Sequence, residues 1–246
     1  GGECVFSAEN DKFARQTYEV NWGPLDAGDV RAIPIGGLQD PDVLAAGFPC
    51  QPFSLAGVSK KVSQGRAHGF ADPKSGDLFF EIVRLVGGPW DLGLDALTEE
   101  ANDPTGSDER FGVDAIPSEL APPILLLENV KHLMSHDSHR TYAVIRRRLM
   151  RSGYHVRAHS INGAAWVPQN RRRTVIIAAR NDIFDGPIVL PPPPDPALGP
   201  KLDPSMLEKR PEVLARYRLT AGTWKALELH FARHTANGNG FGRGDP

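Results

Sequence analysis

The stretch Pro122-Pro123-Ile124-Leu125-Leu126-Leu127-Glu128-Asn129-Val130 decides the reading of this chain. Neither proline fits the interior of a helix or a central strand, so the pair marks the start of an element. The aliphatic run that follows is too short for a core helix and lacks the polar alternation of a strand with one wet face. It therefore fits a strand buried on both faces of a parallel sheet. The abrupt change at Glu128-Asn129 places polar side chains where that strand runs out.

The same unit repeats on either side. Glu3 to Ala8 reads as a short strand ending at Glu9, followed by a helix with Ala14, Tyr18 and Trp22 at every fourth position. Asp42 to Ala46 is a second strand running into Gly47-Phe48-Pro49-Cys50, and Leu78, Phe79, Ile82, Val83 and Val86 mark an amphipathic helix. Beyond the decisive strand, Tyr142, Ile145 and Leu149 share a helix face that Gly153 stops. Tyr154 to Ile161 and Thr174 to Ala179 read as further strands. Strands alternating with helices specify an α/β domain with a mostly parallel sheet flanked by helices. Ligands of such sheets bind beyond the carboxyl ends of the strands, so Glu9, Cys50 and Glu128 are expected on one rim.

Composition narrows the function classes. With 40% hydrophobic and 24% charged residues among 246, and no apolar run of membrane-spanning length, a transmembrane protein is excluded. Two cysteines, Cys4 and Cys50, neither staple a secreted scaffold nor show metal-ligand spacing, so a reducing, cytoplasmic setting without a metal is expected. His68, His132, His136 and His139 read as solvated or helix-end residues. The net charge of −2 conceals an asymmetry: residues 131–180 hold eleven Lys or Arg against Asp137 alone, whereas residues 87–123 hold nine acids against Arg110. One side of the molecule is expected to meet phosphate and another to avoid it.

Residues 87–123 lack periodicity and read as an acidic surface insertion. Pro191 to Pro194, with Pro196, Pro200 and Pro204, read as a semi-rigid linker. The expected organisation is a sheet domain at 1–186, a linker at 187–204 and a further region at 205–246, where Trp224, Leu227 and Phe231 suggest a helix. The chain starts at Gly1 without a signal-peptide pattern and is expected to be an excised piece.

Three elements carry chemistry. Cys50 sits in Gly-Phe-Pro-Cys-Gln-Pro-Phe-Ser, where flanking prolines stiffen a loop that would hold a thiolate in attack geometry. The alternative is an inert core cysteine. Glu128 ends an apolar strand, where partial loss of water favours proton-donating chemistry; the alternative is a carboxylate capping the next helix. Gln169-Asn170-Arg171-Arg172-Arg173 lies in a turn before a strand, so guanidinium forks from it point toward the rim and grip a phosphate or a carbonyl oxygen. The run Arg146-Arg147-Arg148 reads as a solvated helix face.

Together, Pro49-Cys50-Gln51, Glu128-Asn129-Val130 and Gln169-x-Arg171-x-Arg173, in that order, resemble the DNA cytosine-5 methyltransferases of bacterial restriction-modification systems. The resemblance extends over about residues 1–180 and includes Ser7-Ala8-Glu9-Asn10-Asp11, Gly28-Asp29-Val30 and Gly76-Asp77-Leu78-Phe79-Phe80. It implies a Rossmann-like sheet that binds S-adenosyl-L-methionine, with the start of a separate target-recognition domain after the linker. Cys50 would attack C6 of cytosine, Glu128 would contact N3 and the exocyclic amine, and Arg173 would hold O2, with Arg171 and Gln169 supporting the loop. Gln51, Ser54, Asn129 and Val130 complete the implied substrate contacts. Glu9 would bind the cofactor ribose, Asp29 and Val30 would flank the adenine, and Asn10 and Pro49 would line the same pocket.

The implied partner is double-stranded DNA with the target base flipped out, acted on by a monomer; a cognate restriction endonuclease would share the site without touching this chain. The family's glycine-rich first loop would precede Gly1, and its closing segments would follow Pro246. Other classes give a DNA-binding piece without turnover, or a Cys-His hydrolase that leaves Gln-Arg-Arg unexplained. A tRNA methyltransferase would carry a Cys-Phe-Thr signature that the sequence lacks.

Overall fold

The computed structural model describes residues 2–50, 53, 70, 77–88, 119, 121–192, 194–195 and 220–236. Asp11 accepts the Phe13 and Ala14 N–H groups at 3.0 and 2.9 Å, satisfying donors that the first helical turn leaves open, and so starts helix α1 (Lys12–Trp22). Strand β1 (Val43–Gly47), helix α2 (Leu78–Leu85) and strand β2 (Ile124–Val130) follow. A 3-10 turn, Lys131–Met134, leads to helix α3 (Arg140–Arg151). Gly153, at φ +83°, then reverses the chain into strand β3 (Tyr154–Asn162). Strand β4 (Arg172–Arg180) closes the sheet, and helix α4 (Ala221–Ala236) lies farther on. The chain divides into two units, Gly1–Pro200 and Lys201–Pro246. Of the second unit only Thr220 and α4 are described, and Trp224 and Leu227, expected on one helix face, are exposed there.

The sheet has the order β1-β2-β4-β3, and β1 runs parallel to β2. Strand β4 runs antiparallel to both neighbours, so the sheet is mixed where a mostly parallel one was expected. The reason is local: a 3-10 turn at Gly163–Ala165 and a short loop return the chain from β3 into β4, too briefly to hold a crossover helix. This reversal decides where the site forms, because the start of β4 now lies beside the carboxyl end of β2. Arg173 pairs with Val130 and Val175 with Glu128.

The core lies on one sheet face. Leu125, Leu127, Ile176, Ala178 and Tyr154 pack with Phe79, Ile82 and Val83 of α2 and Ile145 and Leu149 of α3. The opposite face differs from expectation: Ile124 and Leu126 are 40% and 41% exposed, so β2 alternates between buried and open positions. The expected strand at Glu3 to Ala8 is reduced to one parallel bridge, Ala8 to Ala27. The Ser7 N–H that a ladder would use is taken by the Asp26 carboxylate at 2.8 Å, and Phe6 packs against Ile33, Leu38 and Leu85.

The arginines of α3 also differ from the sequence reading. Arg147 and Arg148 are buried, and the Arg148 guanidinium lies 5.6 Å from the centre of the Phe80 ring. Their stems fill space between packed elements, so the basic surface of 131–180 is smaller than the charge count implies. Among the described residues no helix is long and apolar enough to cross a membrane.

Two positions test this packing. A Cβ on Gly88 would overlap the Oγ of buried Ser152 and approach Val83 Cγ1 to 2.9 Å. Gly88→Ala is expected to cost about 1–3 kcal/mol, read as a lower melting temperature; an unchanged transition would contradict that contact. Tyr154 donates to the Pro122 carbonyl at 2.8 Å, and burial pushes its phenol above the ordinary range. Because the folded state holds that proton more tightly, this stability is complete below the ordinary phenol value and is lost as pH rises above it. Tyr154→Phe is expected to cost about 1 kcal/mol at neutral pH and to flatten the alkaline fall in stability measured by denaturant titration.

Candidate active site

The site grows from the parallel pairing of β1 and β2. Gly47, the last residue of β1, stands opposite Glu128 in register, and a side chain at Gly47 would begin 3.8 Å from Glu128 Oε2. The chain leaves β1 through Phe48-Pro49-Cys50, with Phe48 buried and Pro49 and Cys50 half-buried. Phe53 N–H donates to the Cys50 carbonyl at 3.0 Å, closing a turn just beyond the thiol. Gln51 and Ser54 lie outside the described residues, as do His68, Gly76 and most of the acidic stretch 87–123.

Asn129 explains why the loop sits where it does. It is buried, its side-chain amide donates to the Phe48 carbonyl at 3.0 Å, and its Oδ1 accepts the Val130 N–H at 2.9 Å. A polar group in such a place is satisfied at both ends. Asn129 thus ties the end of β2 to the loop of β1 at a point two residues before Cys50. Val130 is half-buried beside it.

Arg173 reaches across from β4, and its Nε lies 2.7 Å from Glu128 Oε1. The Glu128 side chain is 48% exposed and that of Arg173 27%, so the carboxylate is open to solvent, not desolvated as the apolar strand suggested. Arg173 also donates through Nη1 to the Arg172 carbonyl at 2.9 Å, which orients the guanidinium plane. Gln169 and Arg171 are exposed on the loop before β4, and the Arg171 carbonyl accepts the Gly163 N–H at 3.0 Å. A thiol loop, a carboxylate and a guanidinium are thereby gathered around the ends of β1 and β2 and the start of β4.

A second group forms around the Ala8–Ala27 bridge, which brings Glu9-Asn10 alongside the segment that leads into Asp29-Val30. Glu9 is half-buried, and one of its oxygens accepts the Asp11 N–H at 2.8 Å. Asn10 is exposed. Asp29 caps a 3-10 turn, accepting the Arg31 N–H at 3.0 Å, as a turn aspartate does. Val30 packs against Ile33, Leu38 and Leu85, and its carbonyl accepts from Arg84 at 3.2 Å. Two carboxylates on adjoining segments supply acceptors for hydroxyl donors.

Several supporting residues escaped the sequence reading. Arg31 bridges from this segment to Asp77 at the head of α2, with Nη2 to Oδ1 at 2.9 Å. Of the histidines expected to be solvated or at helix ends, His132 lies in the last turn of the 3-10 helix with its Nδ1 2.8 Å from the Phe53 carbonyl oxygen and His139 caps α3, whereas His136 is buried against Thr141 at 2.6 Å. A single polar residue holding a distant backbone atom has no periodicity to betray it.

A family model described as C-5 cytosine-specific DNA methylase matches residues 1–88 and 111–218. The DNA-cytosine methyltransferase of Escherichia coli strain K12 is 36% identical over 99% of this chain and 52% of its own length. The Type II methyltransferase M.NlaX of Neisseria lactamica is 33% identical over 98% of this chain and 63% of its own. M.HhaI of Haemophilus parahaemolyticus, also Type II, is 33% identical over 74% of this chain and 44% of its own. This chain spans about half the length of the E. coli relative. Matches of this extent, over a segment that carries the thiol loop, the carboxylate and the guanidinium, place the chain in the C-5 cytosine-specific DNA methylase family.

Proposed function

We propose that this chain methylates C5 of cytosine in double-stranded DNA, using S-adenosyl-L-methionine, as the modifying partner in a restriction-modification system. The observation that carries the reading is the Glu128–Arg173 pair at 2.7 Å, set at the strand ends from which the Cys50 loop departs. C5 of cytosine is a poor nucleophile until something adds at C6, so the reaction needs a nucleophile, a group on N3 and a hydrogen-bond donor on O2, all on one base.

Cys50 thiolate forms the bond to C6, and the electron pair displaced from the C5–C6 double bond moves into the ring. Glu128 sits on N3 and the exocyclic amine and holds the proton that balances that charge. Arg173, fixed against Glu128, donates to O2, with Arg171 and Gln169 shaping the loop. Once C5 carries the methyl group, solvent takes the C5 proton; the electron pair of that C–H bond restores the C5–C6 double bond and expels Cys50 as thiolate, and the N3 proton returns to Glu128. A base stacked in a duplex cannot reach such a rim, so the cytosine is flipped out.

Glu9 and Asp29 would hold the cofactor's ribose and adenine end, with Val30, Asn10 and Pro49 around it. When bound, the cofactor supplies the electrophilic methyl group. Exposed Lys131, Arg171 and Arg172 lie near the same strand ends and suit DNA phosphate.

The test is transfer of labelled methyl from S-adenosyl-L-methionine to mixed-sequence duplex DNA. Label recovered as 5-methylcytosine is the expected product. DNA binding by a folded chain without any label would instead favour a binding piece that does not turn over.

A further inference from the structure

The turn that follows Glu128 holds the thiol loop by a second side chain. His132 lies in the 3-10 turn Lys131–Met134, and its Nδ1 is 2.8 Å from the Phe53 carbonyl oxygen. That oxygen only accepts, so Nδ1 carries the hydrogen. Phe53 is fully buried, with its ring edge-on to Phe48 at 5.9 Å, Phe70 at 5.4 Å and His136 at 5.6 Å, and its own N–H donates to the Cys50 carbonyl at 3.0 Å. A path of two hydrogen bonds therefore runs from the imidazole to the residue that bears the thiol. Before Cys50 the loop is held at Phe48 by Asn129, and after it at Phe53 by His132.

Both anchors follow Glu128 closely in the sequence. We propose that His132 is a positioning residue: with Asn129 it clamps the Cys50 loop to the strand end that presents Glu128, so that thiol and carboxylate address one base. Orientation of this kind affects the chemical step more than binding, because a loop that wanders must be recaptured before each attack. The proposal rests on the reading of Cys50 as nucleophile, but its geometric content does not.

The test uses the whole chain with Cys4→Ser, so that Cys50 is the only thiol. Three versions are compared: the parent, His132→Leu, which lacks the donor at similar bulk, and His132→Asn, whose amide N–H replaces that of Nδ1. The readout is the rate of alkylation by iodoacetamide, followed by mass spectrometry. Losing one hydrogen bond is expected to raise alkylation of half-buried Cys50 by about three- to ten-fold in His132→Leu. His132→Asn should stay within about two-fold of the parent.

Methyl transfer should follow the same order through kcat, with KM for DNA unchanged. If His132→Leu does not fold, His132→Phe, which keeps a ring but has no donor, supplies the comparison. Equal alkylation rates in folded variants with and without the donor overturn the proposal. Methyl transfer surviving in Cys50→Ser would instead overturn the catalytic reading, whatever the alkylation rates.

Discussion

Cys50→Ser abolishes methyl transfer, lowering the rate by on the order of a thousand-fold or more, and leaves the fold and most of the DNA affinity in place. The hydroxyl is close in size to the thiol but is far less ionised at neutral pH. The loop itself does not depend on Sγ: Asn129 holds it at Phe48, and the turn is closed by the Phe53 N–H on the Cys50 carbonyl. Initial rates of label transfer, together with a melting curve and a DNA titration, separate the outcomes. Residual turnover at the parent rate would contradict covalent catalysis by this residue.

Arg173→Ala is expected to lower kcat by roughly a hundred-fold with little effect on stability. The pair with Glu128 is part exposed, and such pairs contribute about 0–1 kcal/mol to folding. Its weight lies in orientation: without the guanidinium at 2.7 Å, Glu128 loses the contact that fixes its carboxylate, and the base loses its donor to O2. DNA affinity should change little at fixed salt. A loss confined to affinity, with the slope against salt falling by about one, would make Arg173 a phosphate contact.

Much of this arrangement was legible in the sequence because strands and helices announce themselves by period. β1, β2 and the end of α3 at Gly153 followed from apolar runs and a glycine stop, and the motif residues fell at strand ends as an α/β reading requires. What escaped has a common cause. The antiparallel return of β4 depends on the length of the loop at 166–171, and a strand carries no mark of its direction. The open face of β2 escaped because Leu-Ile runs look the same whether one face is covered or two. Arg147 and Arg148 read as surface because burial of a guanidinium depends on partners from elsewhere in the chain, such as Phe80. The hold of Asn129 and His132 on the Cys50 loop is likewise a tertiary fact.

The central claim is that Cys50 bonds to C6 of the target base. A duplex carrying 5-fluorocytosine at the methylated position tests it, because the fluorine cannot leave as the C5 proton does and the adduct is held. With S-adenosyl-L-methionine present, the account predicts a covalent protein–DNA complex whose digestion yields the nucleotide on the peptide containing Cys50, and none with Cys50→Ser. Methyl transfer to C5 with no adduct at Cys50, or an adduct that persists in Cys50→Ser, would contradict it.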